Sequence, residues 1–244
     1  MPDGGPQEPL CTLVPGAQPV ELVAYYEEFR RYYPGCELAT KAWVVRHAQP
    51  DWVVLDCGAN VGYYAVLFAR LCPRGVVHAF EPTDTIRMLE RNVAHAGVTN
   101  VRPHRLALGK RSGVRRDRVY RVWGHDPDVG DYPFTTVDDF VEAEKLARVD
   151  CLKIDVDSFD FEVLQGSVAT LRRFNPWLIV ELNHALSRRG QNNLEALEWL
   201  TAQGYGEALV LDHDNFIVRR GEAVVAGEAG PTLSLRFGPR PAAG

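Results

Sequence analysis

The hydrophobic pattern changes period along the chain. Ahead of residue 50, Leu22, Tyr25, Tyr26, Phe29, Tyr32 and Tyr33 recur every three or four positions until Pro34 and Gly35 end the run, which predicts one amphipathic helix. A second, short helix is expected from Glu37 to His47. From Trp52 onward, WVVLD, VVHAF, CLKID and WLIVEL are apolar runs typical of buried parallel strands, and the stretches between them have helical period and length. Helices are expected after Gly62, over Thr83 to Ala96, from about Phe159 and over Leu194 to Ala202, with a further strand in Asn100 to Leu108.

The end of the pattern differs. In ALVLDHDNFIVRR two apolar segments are separated by too few residues for a helical crossover, so they should pair as an antiparallel hairpin. Together these elements predict an α/β, doubly wound, Rossmann-like sheet, mostly parallel with a C-terminal antiparallel hairpin, plus N-terminal helices. The expected organisation is an N-terminal segment with lid helices (1–49), a ligand-binding domain (50–220) and a Gly/Pro/Ala-rich tail (221–244), with a loop-rich insert between Lys110 and Asp138.

Composition narrows the function classes. The chain has 244 residues, 46% hydrophobic and 24% charged, so it has ordinary globular material for one core. A formal charge of -5 argues against nucleic acid as the partner. Five irregularly spaced cysteines with no CxxC pair suggest neither a disulfide framework nor a zinc ribbon, and a reducing, cytoplasmic setting is expected. No apolar run is long enough to span a membrane.

The first candidate chemistry lies where strand WVVLD meets its helix. Gly58 allows a tight turn and close ligand approach, and Gly62 lets the helix start near the strand. Nineteen residues after Gly62, Glu81 ends the second strand, where a carboxylate can accept from two ribose hydroxyls. The G-x-G-x-x-G pattern is absent because position 60 is Asn, and Asp56 would repel a pyrophosphate while attracting an ammonium. S-adenosylmethionine combines an ammonium, a ribose diol and an adenine. An NAD(P)-dependent oxidoreductase and a catalytically silent cofactor-binding protein are the alternatives.

The ordered series VVLDCGANVGYYAVLFAR, VHAFEP, NVRPHRLALG, TTVDDF, CLKIDVDSFDFEVLQGS and LIVELN resembles the FkbM-type family of S-adenosylmethionine-dependent methyltransferases, over roughly Trp52 to Asn183. The resemblance implies a class I methyltransferase fold and O-methylation of a hydroxyl on a small natural product or sugar-containing secondary metabolite. By position, Asp56, Gly58, Ala59, Asn60 and Gly62 would line the methionine end. Glu81 with Pro82 would hold the ribose, and Arg105, Leu106 and Ala107 would lie against the adenine. The departure comes after Asp155: many members continue Val-Glu-Gly, whereas here Val156, Asp157, Ser158, Phe159 and Asp160 follow.

Two readings of the carboxylates at the strand ends stay open. In one, Asp155, Asp157 and Glu181 are oxygen ligands to Mg²⁺, by analogy with macrolide-sugar methyltransferases. In the other, His184 or Asp155 is a general base beside the cofactor and no metal is needed. Asp160 is assigned to capping the helix near Phe159, Asp157 stays open between capping and the site, and His47 has only its position to suggest a role facing the substrate. Residues 102–121 hold eight arginines and lysines against Asp117, a local balance of +7. Such a run is ordinarily a solvated loop, but its place after the adenine-contact region also suits an anionic substrate or a carrier protein. The expected partner is a small molecule, anionic or glycosylated, and a homo-oligomer is compatible with the sequence.

Overall fold

The N-terminal aromatic run does not form the expected α-helix. The computed structural model describes residues 8–122, 125–222 and 233–237. In it β1 (Leu10–Thr12) and β2 (Val20–Leu22) pair antiparallel, and two short 3-10 turns, Glu27–Arg31 and Tyr33–Gly35, carry the aromatics. The cause is local. The Ala24 carbonyl, which would accept inside a helix, takes Asn92 Nδ2 at 2.7 Å, and Tyr26 is extended with φ −80° and ψ 138°. Three-residue spacing serves a 3-10 turn as well as a helix, and here it sets Phe29 edge-on to Tyr26 and Tyr32 with ring centres 5.5 and 5.6 Å apart. Helix α1 (Leu38–His47) forms as expected.

The parallel region follows the predicted alternation: β3 (Val53–Cys57), α2 (Tyr63–Leu71), β4 (Val76–Phe80), α3 (Ile86–Ala96) and β5 (Val101–His104). The presumed loop-rich insert is instead a small sheet in which β8 (Asp128–Thr135) lies between β6 (Ala107–Leu108) and β7 (Gly113–Val119). β7 is solvent-facing and arginine-rich, so it lacks the apolar alternation that marks a half-buried strand. Then come α4 (Val137–Ala143), β9 (Cys151–Ile154), α5 (Asp160–Gln165), α6 (Val168–Phe174), β10 (Trp177–Glu181), α7 (Asn193–Ala202), β11 (Glu207–Leu211), β12 (Asn215–Val218) and β13 (Leu233–Arg236).

The main sheet has the order β13-β11-β12-β10-β9-β3-β4-β5. Its five strands from β10 to β5 are parallel, and β11 and β12 form the expected hairpin. Both ends, 1–19 and 221–244, are expected to be loose or draped over the domain. β1 pairs with β2 and β13 adds to the edge of β11, so part of each end is ordered in a sheet; 1–7, 223–232 and 238–244 lie outside the described residues. Alternation along each strand feeds two cores: Val54 packs with α2 and the N-terminal segment on one face, and Leu55 with α5 and α7 residues on the other. Leu55, Leu152 and Leu178 are fully buried, and truncating one such leucine costs about 2–5 kcal/mol.

Two features of this frame position the site. The strand order reverses between β3 and β9, so the loops after their carboxyl ends diverge and leave a crevice. On the hairpin side, Asp212 accepts from the Ala39 and Thr40 N–H groups at 3.2 and 2.7 Å, fixing the start of α1 beside that crevice.

Candidate active site

β3 enters its turn through Gly58 (φ 85°), Asn60 (φ 48°) and Gly62 (φ 93°) before α2 begins. A Cβ at Gly58 would lie 1.8 Å from the Asp155 carbonyl oxygen, so only glycine permits this contact between the β3 and β9 loops. Gly62 faces Leu89 rather than the crevice, with Leu89 Cγ 3.0 Å from where its Cβ would be, so its part is to start the helix. The Gly58 and Ala59 N–H groups donate to Phe80 O at 3.1 and 2.9 Å, tying the turn to the end of β4.

Glu81 follows that end and is 6% exposed. Its Oε1 accepts from Thr83 N at 2.9 Å and Thr83 Oγ1 at 2.5 Å, which sets the carboxylate plane. Burial raises its pKa, and the Thr83 donors oppose the rise. A narrow slot beside Glu81 is lined by Pro82, Leu106 and Ala107 together with Val119, Tyr120 and Phe134. Arg105 is not among the slot residues: its half-exposed guanidinium pairs with Asp84 at 2.8 Å. A long charged side chain at the sheet edge turns to water and to a carboxylate rather than into an apolar slot.

A second cavity of about 350 Å³ adjoins the slot and shares Gly58, Asn60, Asp155 and Asp157 with it. Asp56 is fully buried at its base, and neither carboxylate oxygen has a hydrogen-bond partner among the described residues. Burial lifts its pKa to about 6, against the pull of Lys153. Lys153 Nζ lies 2.9 Å from Asp155 Oδ2; burial works against its charge, but Asp155, Asp56 and Glu37 together raise its pKa. Asp157, left-handed at φ 46°, is raised to about 7 by burial and by repulsion from Asp155 and Asp160. Burial pushes Glu181 well above the usual carboxylate range, and Asp155 adds to the push.

Glu37 comes to the same cavity from the start of α1. It accepts from Asn215 Nδ2 at 3.0 Å and from the Tyr63 hydroxyl, and burial raises its pKa while Lys153 lowers it. His184 opens the 3-10 turn His184–Arg189 at the rim, and the preceding Asn183 caps that turn by accepting from Ala185 N at 2.8 Å. Asp155 and His184, the two candidate catalytic residues, therefore line one cavity.

Comparison with known proteins decides the family. The Methyltransferase FkbM domain matches residues 56–206. The chain belongs to the FkbM methyltransferase family. It is 28% identical over 151 residues to the hexuronic acid methyltransferase AglP of Haloferax volcanii, covering 57% of this chain and 59% of that protein. It is 24% identical over 158 residues to Methyltransferase 1 of Beauveria bassiana, covering 52% and 62%. The chain thus spans about three fifths of each of these relatives. Its fold resembles the crystal structure of a Methyltransferase FkbM from Methylobacillus flagellatus (TM-score 0.50, 15% identity, 70% of this chain and 44% of that one). It also resembles a putative rRNA methylase from Clostridium thermocellum (TM-score 0.51, 10% identity, 78% and 98%). The α/β, doubly wound class I methyltransferase fold is thereby established.

Against the FkbM pattern, the departure after Asp155 has a structural meaning. The position of the family glycine is Ser158, which holds φ 96° and is strained for any side chain. Asp160 does not cap α5, whose N-cap residue Phe159 makes no side-chain cap bond; it closes the loop instead, accepting from Val156 N at 2.9 Å and Ser158 N at 3.1 Å.

Asp155, Asp157 and Glu181 do not form a metal-holding set: among the described residues no group of three His, Cys, Asp or Glu side chains is arranged for a metal ion. Mg²⁺ does not fit this arrangement. The cationic partner of Asp155 is the Lys153 ammonium. His47 is excluded from the cleft as well, since it stacks on Trp43 and borders Trp52, Asp150 and Trp177 at the opposite end of the strands.

Among the described residues, four of the eight cations in the basic run make ion pairs. Arg115 pairs with Glu162 and Asp117, Arg105 with Asp84, Arg116 with Asp131 and Arg121 with Asp128, and of these arginines only Arg121 lines the cavity. Glu37, Lys153, Asp214 and the slot residues Val119 and Tyr120 were not expected at the site. Lys153 had a sequence signal, as a lone cation in the otherwise apolar strand CLKI; Glu37 had none.

Proposed function

We propose that the protein is an S-adenosylmethionine-dependent O-methyltransferase acting on a hydroxyl of a small natural product or sugar-containing secondary metabolite. The observation that carries this reading is the pairing of a narrow, mainly apolar slot beside Glu81 with a wider polar cavity, joined at Gly58, Asn60, Asp155 and Asp157. The residues fit the donor. The buried, unpartnered Asp56 suits its ammonium, the Thr83-oriented Glu81 its ribose diol, and the slot of Leu106, Val119 and Phe134 its adenine. Asp56 also disfavours a pyrophosphate, and with it the NAD(P) reading.

When bound, the donor supplies a methyl group on a positively charged sulfur. The protein's part is chiefly alignment, because displacement at that methyl needs the acceptor oxygen in line and close. In this reading Asp155, its charge balanced by Lys153, orients the acceptor hydroxyl. With Asp155 held by Lys153, His184 at the rim of the same cavity takes the proton. Residues 50–220 form the methyltransferase domain, and the segment before them, through Tyr33 and Glu37, walls the acceptor side as a lid. A sugar acceptor is supported by the relative named as a hexuronic acid methyltransferase. No helix among the described residues is long and apolar enough to cross a membrane.

The test is transfer of isotopically labelled methyl from S-adenosylmethionine to a panel of hydroxylated acceptors. A product carrying one new O-methyl group supports the reading. Label appearing only on nitrogen or carbon would refute O-methylation.

A further inference from the structure

The cleft holds more carboxyl groups than the methyl donor explains. Glu37, Asp56, Asp155, Asp157, Glu181 and Asp214 line it against Lys153 and Arg121. The donor's ammonium and sulfonium, less its carboxylate, add a single positive charge. Arg121 already lies 3.8 Å from Asp128, and Lys153 is committed to Asp155. Glu37 and Asp214 are met by neutral donors, Asn215 with Tyr63 and Asn183 at 3.4 Å. Glu181 is left facing other carboxyl groups: beyond burial, the groups acting on it are Asp155, Asp160, Asp214 and Asp157, while Asp157 has Arg188 near it as well as Asp155 and Asp160.

A second observation points to a ligand. The Tyr64 hydroxyl, on a side chain 3% exposed, has no hydrogen-bond partner among the described residues and belongs to the lining of the same cleft. The rings of Tyr32 and Tyr33 line it too, and aromatic faces beside carboxylates favour an organic cation.

Resting on the methyltransferase reading above, we infer that the acceptor is a cationic, amine-bearing molecule such as an amino sugar, its ammonium held by Asp157 and Glu181. The amine is the handle and a hydroxyl the methylated group, because a site that favours the protonated amine leaves that nitrogen no lone pair for attack. This departs from the anionic acceptor that the basic run suggested, since of that run only Arg121 lines the cleft.

The experiment titrates three methyl glycosides of matched skeleton (an amino sugar, the parent neutral sugar and the uronic acid) into the full-length protein with S-adenosylhomocysteine, followed by calorimetry at neutral pH. The amino sugar should bind at least tenfold more tightly than the neutral sugar, and the uronic acid more weakly than either. Asp157→Asn with Glu181→Gln should erase the preference. The inference is overturned if the amino sugar has no advantage, if the uronic acid binds best, or if none of the three binds. Should the double variant not fold, the wild-type ranking decides. Failure of S-adenosylhomocysteine itself to bind would refute the cofactor reading separately, and the same ranking without it would still judge the amine.

Discussion

Lys153 donates to Asp155 at 2.9 Å from a position with 1% exposure, so the centre of the site is an ion pair with one end inside the core. A lysine there is tolerated only because Asp155, Asp56 and Glu37 surround it. Removing the cation leaves these carboxylates uncompensated. Lys153→Met should cost about 2–4 kcal/mol, below the full value for a buried pair because Asp155 is 30% exposed. Urea unfolding measures this, and a loss under about 0.5 kcal/mol would show that the pair is not holding the site together.

Gly58 is the position where the backbone leaves no choice. With φ 85° and the Asp155 carbonyl 1.8 Å from any added Cβ, Gly58→Ala must push the β3 and β9 loops apart. A loss of at least about 2 kcal/mol is expected, together with loss of S-adenosylhomocysteine binding. A variant with wild-type stability and affinity would contradict the close approach.

The raised carboxyls give the ligand-free protein a pH signature. Asp157 at about 7 binds its proton more tightly in the folded state than in the unfolded chain, where the ordinary value is 3.8, and Glu181 is raised further. Their stability contribution is complete below the unfolded pKa and is lost as pH rises through the folded one. His78, lowered to about 4 by burial and His104, acts in the opposite sense, but that effect is complete by about pH 6.5. Between roughly pH 6.5 and 8.5 stability should therefore fall, and Asp157→Asn should flatten the fall. Rising stability across this window in the wild type would be the wrong sign.

Asp212 couples the hairpin to α1, and with it to Glu37. Asp212→Ala removes the carboxylate that receives two backbone N–H groups and should cost about 1 kcal/mol in thermal or urea unfolding. No change would mean that α1 is held by packing alone.

The sheet was legible because its strands are buried on both faces and their apolar runs are continuous, from Val53 to Cys57 and from Trp177 to Glu181. The turn at Gly58 and its partner Glu81 could be read for a related reason, since a tight turn and a strand-end acid leave local marks. Arg105 was misplaced because position along a loop does not fix where a long side chain turns. The helix expected through Tyr25 and Tyr33 failed because Asn92, distant in sequence, takes the carbonyl that a helix would use. Glu37 was invisible for the same kind of reason: it reaches the cleft through Asp212, Asn215 and Tyr63, all far along the chain.

The central claim, that the crevice between β3 and β9 holds S-adenosylmethionine through Asp56 and Glu81, is tested most directly by calorimetry with S-adenosylhomocysteine. The account predicts saturable one-to-one binding to the wild type and loss of at least tenfold in affinity for Asp56→Ala with Glu81→Ala, the variant remaining folded by circular dichroism. No binding to the wild type, or unchanged binding to the double variant, would contradict it.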